Sequence, residues 1–121
     1  MYNPLTIDPF NPFTAQALTA SGGATPSLSS SVLQVGKLSR ISVYVSNAGA
    51  STDCTIAIKG SPTDTKALEK TIQTFNLNAS NVTKAGIGIS RDDIPAFIWT
   101  TITNNDAVNA ATITIQLERF R

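Results

Sequence analysis

Apolar and polar residues alternate with a period of two in several short segments of this 121-residue chain, and this pattern constrains the fold more than any other feature. Ile41, Val43 and Val45 alternate with polar residues, and the alternation returns over residues 54–59 and 112–117. Successive side chains of a strand point to opposite faces. These segments therefore predict strands with one buried face and one solvated face.

Clusters of turn-forming residues separate these segments. Residues 47–53 join the first strand to the second, and residues 104–106 precede the last strand. Gly, Asn, Asp and Ser favour tight turns and interrupt strands. We therefore expect residues 41–46 and 54–59 to pair as a hairpin, and a second hairpin to close the chain.

Three further segments complete the prediction. Residues 67–77 are predicted as a strand, although their first four residues could start a helical turn, and residues 86–89 as a short or edge strand before a turn at 91–93. Residues 96–103 are apolar or β-branched on both faces, which predicts a central strand buried on both sides near its start. Short strands, frequent turns and no convincing helix predict an all-β fold, an antiparallel β-sandwich of jelly-roll or immunoglobulin-like type.

The first thirty residues differ from the rest because they hold four of the six prolines. Proline excludes a helix interior and favours extended geometry, so we expect an extended N-terminal arm over residues 1–31 and a sandwich domain over residues 32–121. Apolar side chains along the arm need a surface to cover, either their own domain or a neighbouring molecule. The predicted interaction anchors are Leu5, Ile7, Phe10, Phe13 and Leu18.

The charge of the chain argues against several kinds of partner. The formal net charge is +1, and the basic residues are scattered, whereas binding to nucleic acid needs a concentrated basic face. No segment approaches the ~18 consecutive apolar residues of a membrane span. Near-neutral charge permits close association, so we expect a homo-oligomer without a nucleic-acid or membrane partner.

The residue types needed for catalysis or metal binding are scarce. The chain contains no histidine, and its single cysteine, Cys54, is expected to be a small buried side chain. The adjacent Asp92 and Asp93 are expected to lie in a solvated turn, because neighbours on an extended chain point to opposite faces. We therefore expect no enzyme activity, no cofactor and no metal site. The start of the chain lacks the pattern of a secretory signal, so we expect synthesis in the cytoplasm and arrival at any outer surface by assembly or lysis, unless a leader has been removed.

Aromatic residues offer one further type of site. Tyr44, Phe97 and Trp99 could form a platform for a sugar ring, but Trp99 is expected in the core because its strand is the most apolar. Tyr44 lies on the polar face of its strand and is the better candidate for a surface contact.

Three stretches of strand and turn residues carry a resemblance to known proteins. They are Ile41 to Gly49, then Thr55 to Asp64 ending in Gly-Ser-Pro-Thr-Asp, and Thr103 to Asp106 followed by Ala111 to Ile115. In these features the part from about Leu38 to Arg121 resembles small β-sandwich proteins of tailed-phage virions and of Gram-positive cell surfaces. The resemblance implies a structural role and carries over no catalytic residue.

Three functions follow from these observations. The first is a virion structural protein, such as a capsid decoration protein or a head or tail accessory subunit, that binds copies of itself or a major capsid protein through its arm and strand edges. The second is a subunit of a bacterial extracellular or spore-surface filament that donates the same arm to the next subunit. The third is a carbohydrate-binding module. The sequence does not choose between a phage and a cellular origin.

Overall fold

The computed structural model describes residues 7–35, 40–85, 89–90 and 94–120. All regular secondary structure in these residues is β-strand, so the predicted all-β class is confirmed. The ten strands are β1 (Ile7–Leu18), β2 (Ser27–Ser29), β3 (Leu33–Gln34), β4 (Arg40–Asn47), β5 (Cys54–Ser61), β6 (Lys70–Leu77), β7 (Val82–Ala85), β8 (Ile89–Ser90), β9 (Phe97–Asn104) and β10 (Ala111–Phe120).

The strands form two five-stranded sheets that pack as a sandwich. Sheet A has the order β1-β10-β4-β7, with β8 also pairing with β4, and sheet B has the order β2-β9-β5-β6, with β3 also pairing with β9. Every described pairing is antiparallel. The pairing is nested: strands from the two ends of the chain pair with each other, and β5 pairs with β6 in the middle. In both sheets, therefore, every described pairing joins a strand from the N-terminal half of the chain (β1–β5) to a strand from the C-terminal half (β6–β10).

One hydrophobic core lies between the two sheets. In sheet A, Val45 lies opposite Ile115, and in sheet B, Ile56 lies opposite Ile102. All four side chains are fully buried. Burying a side chain of this size stabilises a fold by about 1.5–3 kcal/mol. The alternation in the sequence thus marks the two inward faces, as predicted.

Both predicted hairpins are wrong. β4 and β5 follow each other in the sequence but lie in different sheets, and so do β9 and β10. Residues 48–53 and 105–110 carry the chain from one sheet to the other. Alternation shows which side chains are buried but not which strands pair, and consecutive strands here pack face to face across the core.

Two other predicted strands have the expected place. Residues 67–77 contain β6, which begins at Lys70 and pairs with β5. The predicted segment 96–103 overlaps β9 (Phe97–Asn104), which lies between β5 and the short strands β2 and β3. Ile98, Trp99 and Thr100 of this strand are all buried. The predicted central strand is therefore confirmed. The predicted turn at residues 91–93 lies outside the described residues, as do residues 86–88.

The N-terminal segment is a strand of the sandwich rather than an arm beside it. β1 pairs with β10 along its length, from Ile7 opposite Phe120 to Leu18 opposite Ala111, and β2 and β3 pair with β9. The predicted separation of residues 1–31 from residues 32–121 therefore does not match the strand pairing. The physical reason is the position of β1 at the edge of sheet A, where the N–H groups that proline lacks are not needed on the outer side.

Two irregularities adapt β1 to its prolines. The register with β10 shifts between Phe10 and Phe13, around Pro12, and again between Phe13 and Gln16. Ala15, within the second shift, has a left-handed φ of 46°, and its N–H donates a hydrogen bond to Thr114 Oγ1 at 2.9 Å. Bulges of this kind let a strand skip a position and still return its apolar side chains to the core.

We predict that truncating the buried side chains of β1 destabilises the whole domain. Phe13→Ala is expected to lower the free energy of unfolding by about 3–5 kcal/mol and Leu18→Ala by about 2–5 kcal/mol, because each leaves a cavity in the core. Chemical denaturation followed by circular dichroism measures both. Asn11→Ala, an exposed position on the same strand, is the control, and its effect is expected within about 0.5 kcal/mol. Equal stability of all four proteins would show that β1 is not part of the folded unit.

Candidate interaction surfaces

The predicted arm anchors lie on their own domain in this structure. Phe13 and Leu18 are buried in the core, and Phe10 is partly buried against it. Ile7 takes part in the β1–β10 pairing, and Leu5 lies outside the described residues. Within the single chain, Phe10, Phe13 and Leu18 pack against their own domain, and a role as anchors to a neighbouring molecule stays a prediction.

The outer face of sheet A is polar around Tyr44. Tyr44 is 39% exposed and lies opposite Gln116 of β10. The outward pairs on either side of it along the same two strands are Ser46 with Thr114 and Ser42 with Glu118. Hydroxyl and amide groups around one tyrosine, with a single carboxylate, suit contact with a second surface, and tyrosine is enriched at interfaces.

The three aromatic residues considered for a sugar platform are not brought together. Tyr44 lies on the outer face of sheet A, whereas Phe97 and Trp99 belong to β9 of sheet B. Trp99 lies opposite Lys59 of β5, and the neighbouring pair Ile98 and Gly60 has the opposite, inward orientation. Trp99 thus lies on the outer face of sheet B and outside the hydrophobic core, although only 2% of its surface is exposed. The expected burial of Trp99 is confirmed, although the residue lies outside the main hydrophobic cluster between the sheets.

The loop between β5 and β6 covers Trp99. Lys66 Nζ lies 5.5 Å from the centroid of the Trp99 ring and donates a hydrogen bond to the main-chain oxygen of Ser30 at 2.9 Å. A cation over an aromatic face contributes about 0.5–2 kcal/mol. No signal in the sequence distinguishes Lys66 from the other lysines, because the contact depends on the path of the loop.

The two ends of the sheets differ as sites for strand addition. β1, at one edge of sheet A, contains Pro9 and Pro12 and two register shifts, features that discourage pairing with another chain. β6 is the last strand in the order of sheet B, and residues 71–77 contain neither proline nor a charged residue. At its far end the Asn76 main-chain oxygen accepts a hydrogen bond from Lys84 Nζ at 2.5 Å. The uncharged stretch could have been found in the sequence, but its position at an edge could not.

One buried polar atom of β6 lacks a partner. The side-chain oxygen of Gln73 is buried and has no hydrogen bond within the described part of the chain. Gln73 lies opposite the buried Ile58, so its side chain points toward the core side of sheet B. A buried acceptor without a donor costs about 1–3 kcal/mol, and such atoms mark places where a structure is incomplete or strained.

A hydrogen-bonded polar network closes one end of the sandwich. The Asn104 side-chain oxygen accepts hydrogen bonds from Ser51 Oγ at 2.7 Å and from the Asp106 N–H at 3.1 Å. Its amide nitrogen donates to the main-chain oxygens of Thr19 at 3.0 Å and Asn109 at 2.9 Å. Asn104 is 1% exposed, so these bonds satisfy a fully buried amide. The network joins the β1–β2, β4–β5 and β9–β10 loops.

Asp106 is the main electrostatic element of this end. The N–H groups of Asn109 at 3.0 Å and Val108 at 2.9 Å donate to one carboxylate oxygen, and the N–H of Thr52 donates to the other at 3.1 Å. These three donors hold the pKa of Asp106 well below its usual range. The carboxylate organises two loops, which is a structural role.

Cys54 lies in the same network and is fully buried. Burial raises the pKa of its thiol, the hydrogen bond with Ser51 lowers it, and the charges of Asp53 and Asp106 raise it further. A buried thiol with a raised pKa is a poor nucleophile and a poor partner for disulfide exchange. Its predicted burial is confirmed.

In residues 7–35, 40–85, 89–90 and 94–120, no group of three or more His, Cys, Asp or Glu side chains is placed to hold a metal ion. The same parts of the chain contain no helix long and apolar enough to cross a membrane.

This antiparallel β-sandwich is similar to several solved structures. One is the PBSX exported protein XepA, with a TM-score of 0.68 and 13% identity. The match covers 94% of this chain but only 36% of XepA. The sandwich is also similar to PirA, with a TM-score of 0.56, 13% identity and 93% of each chain covered. A third similar structure is the subunit of the disulfide-linked pili that form Bacillus endospore appendages, with a TM-score of 0.50, 12% identity, and 98% of this chain and 90% of that one covered.

At these identities the likeness concerns the fold alone. No family profile and no curated protein matches the sequence.

We predict that the Cys54 thiol is protected in the native state. Ellman's reagent is expected to label it in denaturant and to react far more slowly with the folded protein, because the sulfur is inaccessible. Stability is expected to fall as pH rises above about 8.5, since the unfolded thiol ionises first and the folded thiol resists ionisation. Cys54→Ala should flatten this alkaline loss. Rapid stoichiometric labelling of the native protein would contradict the buried position.

We predict that Asp106 makes the domain sensitive to acid. Its folded pKa is depressed, so its stabilising effect is present above the unfolded pKa of about 4 and is lost as pH falls below that value. Asp106→Asn is expected to destabilise the protein at pH 7 and to weaken the dependence of stability on pH between about 4 and 2. Denaturation midpoints across this range measure the effect, with Asp64→Asn, an exposed carboxylate after β5, as the control. Parallel curves for the wild type and Asp106→Asn would rule out this role.

Proposed function

We propose that this chain is a non-enzymatic structural protein that assembles with copies of itself through its strand edges, on the outside of a cell or particle. The observation that carries the proposal is the edge formed by β6. From Thr71 to Phe75 this edge has no charge, no proline and no described strand beyond it.

Such an edge can bind another strand through the hydrogen-bonding groups of its main chain. An edge strand presents N–H and C=O groups in a row, and natural proteins block these rows with lysine, proline or bulges unless another chain pairs there. β1 carries Pro9, Pro12 and two register shifts, whereas β6 has neither lysine nor proline from Thr71 to Phe75 and has one register shift, at Ile72. Strand addition supplies affinity through main-chain hydrogen bonds and needs no pocket or cofactor.

The outer face of sheet A supports the same proposal. Around Tyr44 the face is composed mainly of hydroxyl and amide side chains, with Glu118 as the one carboxylate among the neighbouring outward residues of β4 and β10, so contact with a second copy there buries little charge. Tyr44 is a suitable central contact because it offers a large rigid side chain with a polar tip.

The virion and the filament remain two forms of this proposal. As a virion component the chain would act as a capsid decoration protein or a head or tail accessory subunit, with a major capsid protein as its partner. The filament form gains support from the likeness in fold to the subunit of Bacillus endospore appendages, and the exported XepA supports an outside location in either case. Cys54 is the single cysteine of the sequence and is fully buried, so its thiol is not available for a disulfide link between subunits.

A carbohydrate-binding module is less well supported. Trp99 is covered and lies on the opposite sheet from Tyr44, which leaves one partly exposed tyrosine on the face of sheet A. A single ring without a facing aromatic residue offers little stacking area for a sugar.

The β6 edge can be tested with charge. Thr71→Lys combined with Thr74→Lys places two cations on exposed positions of β6, and we expect it to lower the mass of the assembly toward that of the monomer without changing the thermal midpoint. Ser80→Lys combined with Ala110→Lys adds the same charge at exposed loop positions and should leave assembly unchanged. Sedimentation velocity measures mass, and electron microscopy separates closed oligomers from fibres. A monomeric wild type, or equal assembly by both double variants, would refute the proposal.

A further inference from the structure

The loop of residues 62–69, here called the strap, is held to the domain by few contacts. Six of its eight residues are exposed, and only Thr63 and Lys66 are partly buried. Lys66 connects the strap to the Trp99 ring and to the main-chain oxygen of Ser30. At its two ends Ser61 Oγ donates to the Ala67 main-chain oxygen, and Lys59 pairs with Glu69 at 3.3 Å.

The strap adopts a backbone that its residues do not favour. Lys66 has a φ of 63° and Leu68 a φ of 55°, both in the left-handed region that costs energy for side chains other than glycine, asparagine and aspartate. The Leu68 side chain is 83% exposed, so burial of that leucine does not offset the strain. Two strained residues within three positions persist only because the surrounding contacts hold them.

The strap lies over an aromatic side chain of sheet B. Trp99 is on the outer face of that sheet, is 2% exposed, and has Lys66 of the strap above its ring. Phe97, on the same face of β9, is partly buried. The strap contributes no side chain to the core cluster, so its release takes Lys66 away from the Trp99 ring without removing a core residue.

From these observations we propose that the strap is a latch: Lys66 holds it closed over Trp99, backbone strain at Lys66 and Leu68 favours release, and release uncovers the Trp99 ring. The strap also leads directly into β6 at Lys70, so its position is linked to the start of that edge strand. The latch belongs to the single chain and does not depend on assembly.

Trp99 is the only tryptophan in the sequence, so its fluorescence reports the latch directly. Acrylamide quenching of a monomeric sample is the measurement. Lys66→Ala is expected to raise the open fraction about tenfold, and with it the quenching constant, because the cation over the ring is lost. Lys66→Arg keeps a cation that stacks on aromatic rings and should restore quenching close to that of the wild type.

Leu68→Asn relieves the left-handed strain and should reduce quenching below the wild-type value, whereas Thr65→Asn, its control in the same loop, should not.

Amide hydrogen exchange distinguishes release of the strap from general loss of stability. In Lys66→Ala, faster exchange is expected for residues 63–69 and not for β9. Unchanged quenching in Lys66→Ala, or faster exchange through β9 together with the strap, would overturn the proposal. An increase in quenching for Leu68→Asn would also overturn it, since strain would then not favour release.

Discussion

The buried side chain of Asn104 is the interaction on which the arrangement of the two sheets most depends. It binds Ser51 in the β4–β5 loop, Thr19 after β1 and Asn109 before β10. All three loops carry the chain from one sheet to the other, so their positions determine how β1 faces β2, how β4 faces β5 and how β9 faces β10. The core supplies most of the apolar burial, but apolar contact alone does not select one alignment of two sheets, whereas directed hydrogen bonds do.

A second amide extends this control to the strands of sheet A. Asn47 donates to the Ser51 main-chain oxygen at 2.9 Å, and its own oxygen accepts from the N–H of Gly49 at 2.9 Å and of Thr112 at 3.1 Å. Glycine is required at position 49, because a Cβ there would lie 2.8 Å from the Thr112 nitrogen. The end of the sandwich that carries these loops is thus a connected polar layer over the apolar core. Each buried polar group described in this layer has a hydrogen-bond partner.

Sequence patterns predicted which faces are buried better than they predicted which strands are neighbours. The alternation at Ile41, Val43 and Val45 identified the inward row of β4, but pairing depends on contacts between distant segments, which local periodicity does not contain. The prolines at positions 9 and 12 were interpreted as an arm because they exclude helix and central strand, yet an edge strand accepts them. Trp99 shows the same limit for the site: its neighbours predicted burial, but the covering group, Lys66, comes from a loop whose path no pattern indicates.

The burial of Cys54 affects how long any assembly of this domain would persist. Because the only thiol of the sequence is buried, the described surfaces offer no thiol for a disulfide link between copies. Durability would then come from avidity: a subunit engaged by several neighbours at once leaves only when all contacts fail together. Such a lattice could exchange damaged subunits and would be indifferent to the redox state of its surroundings.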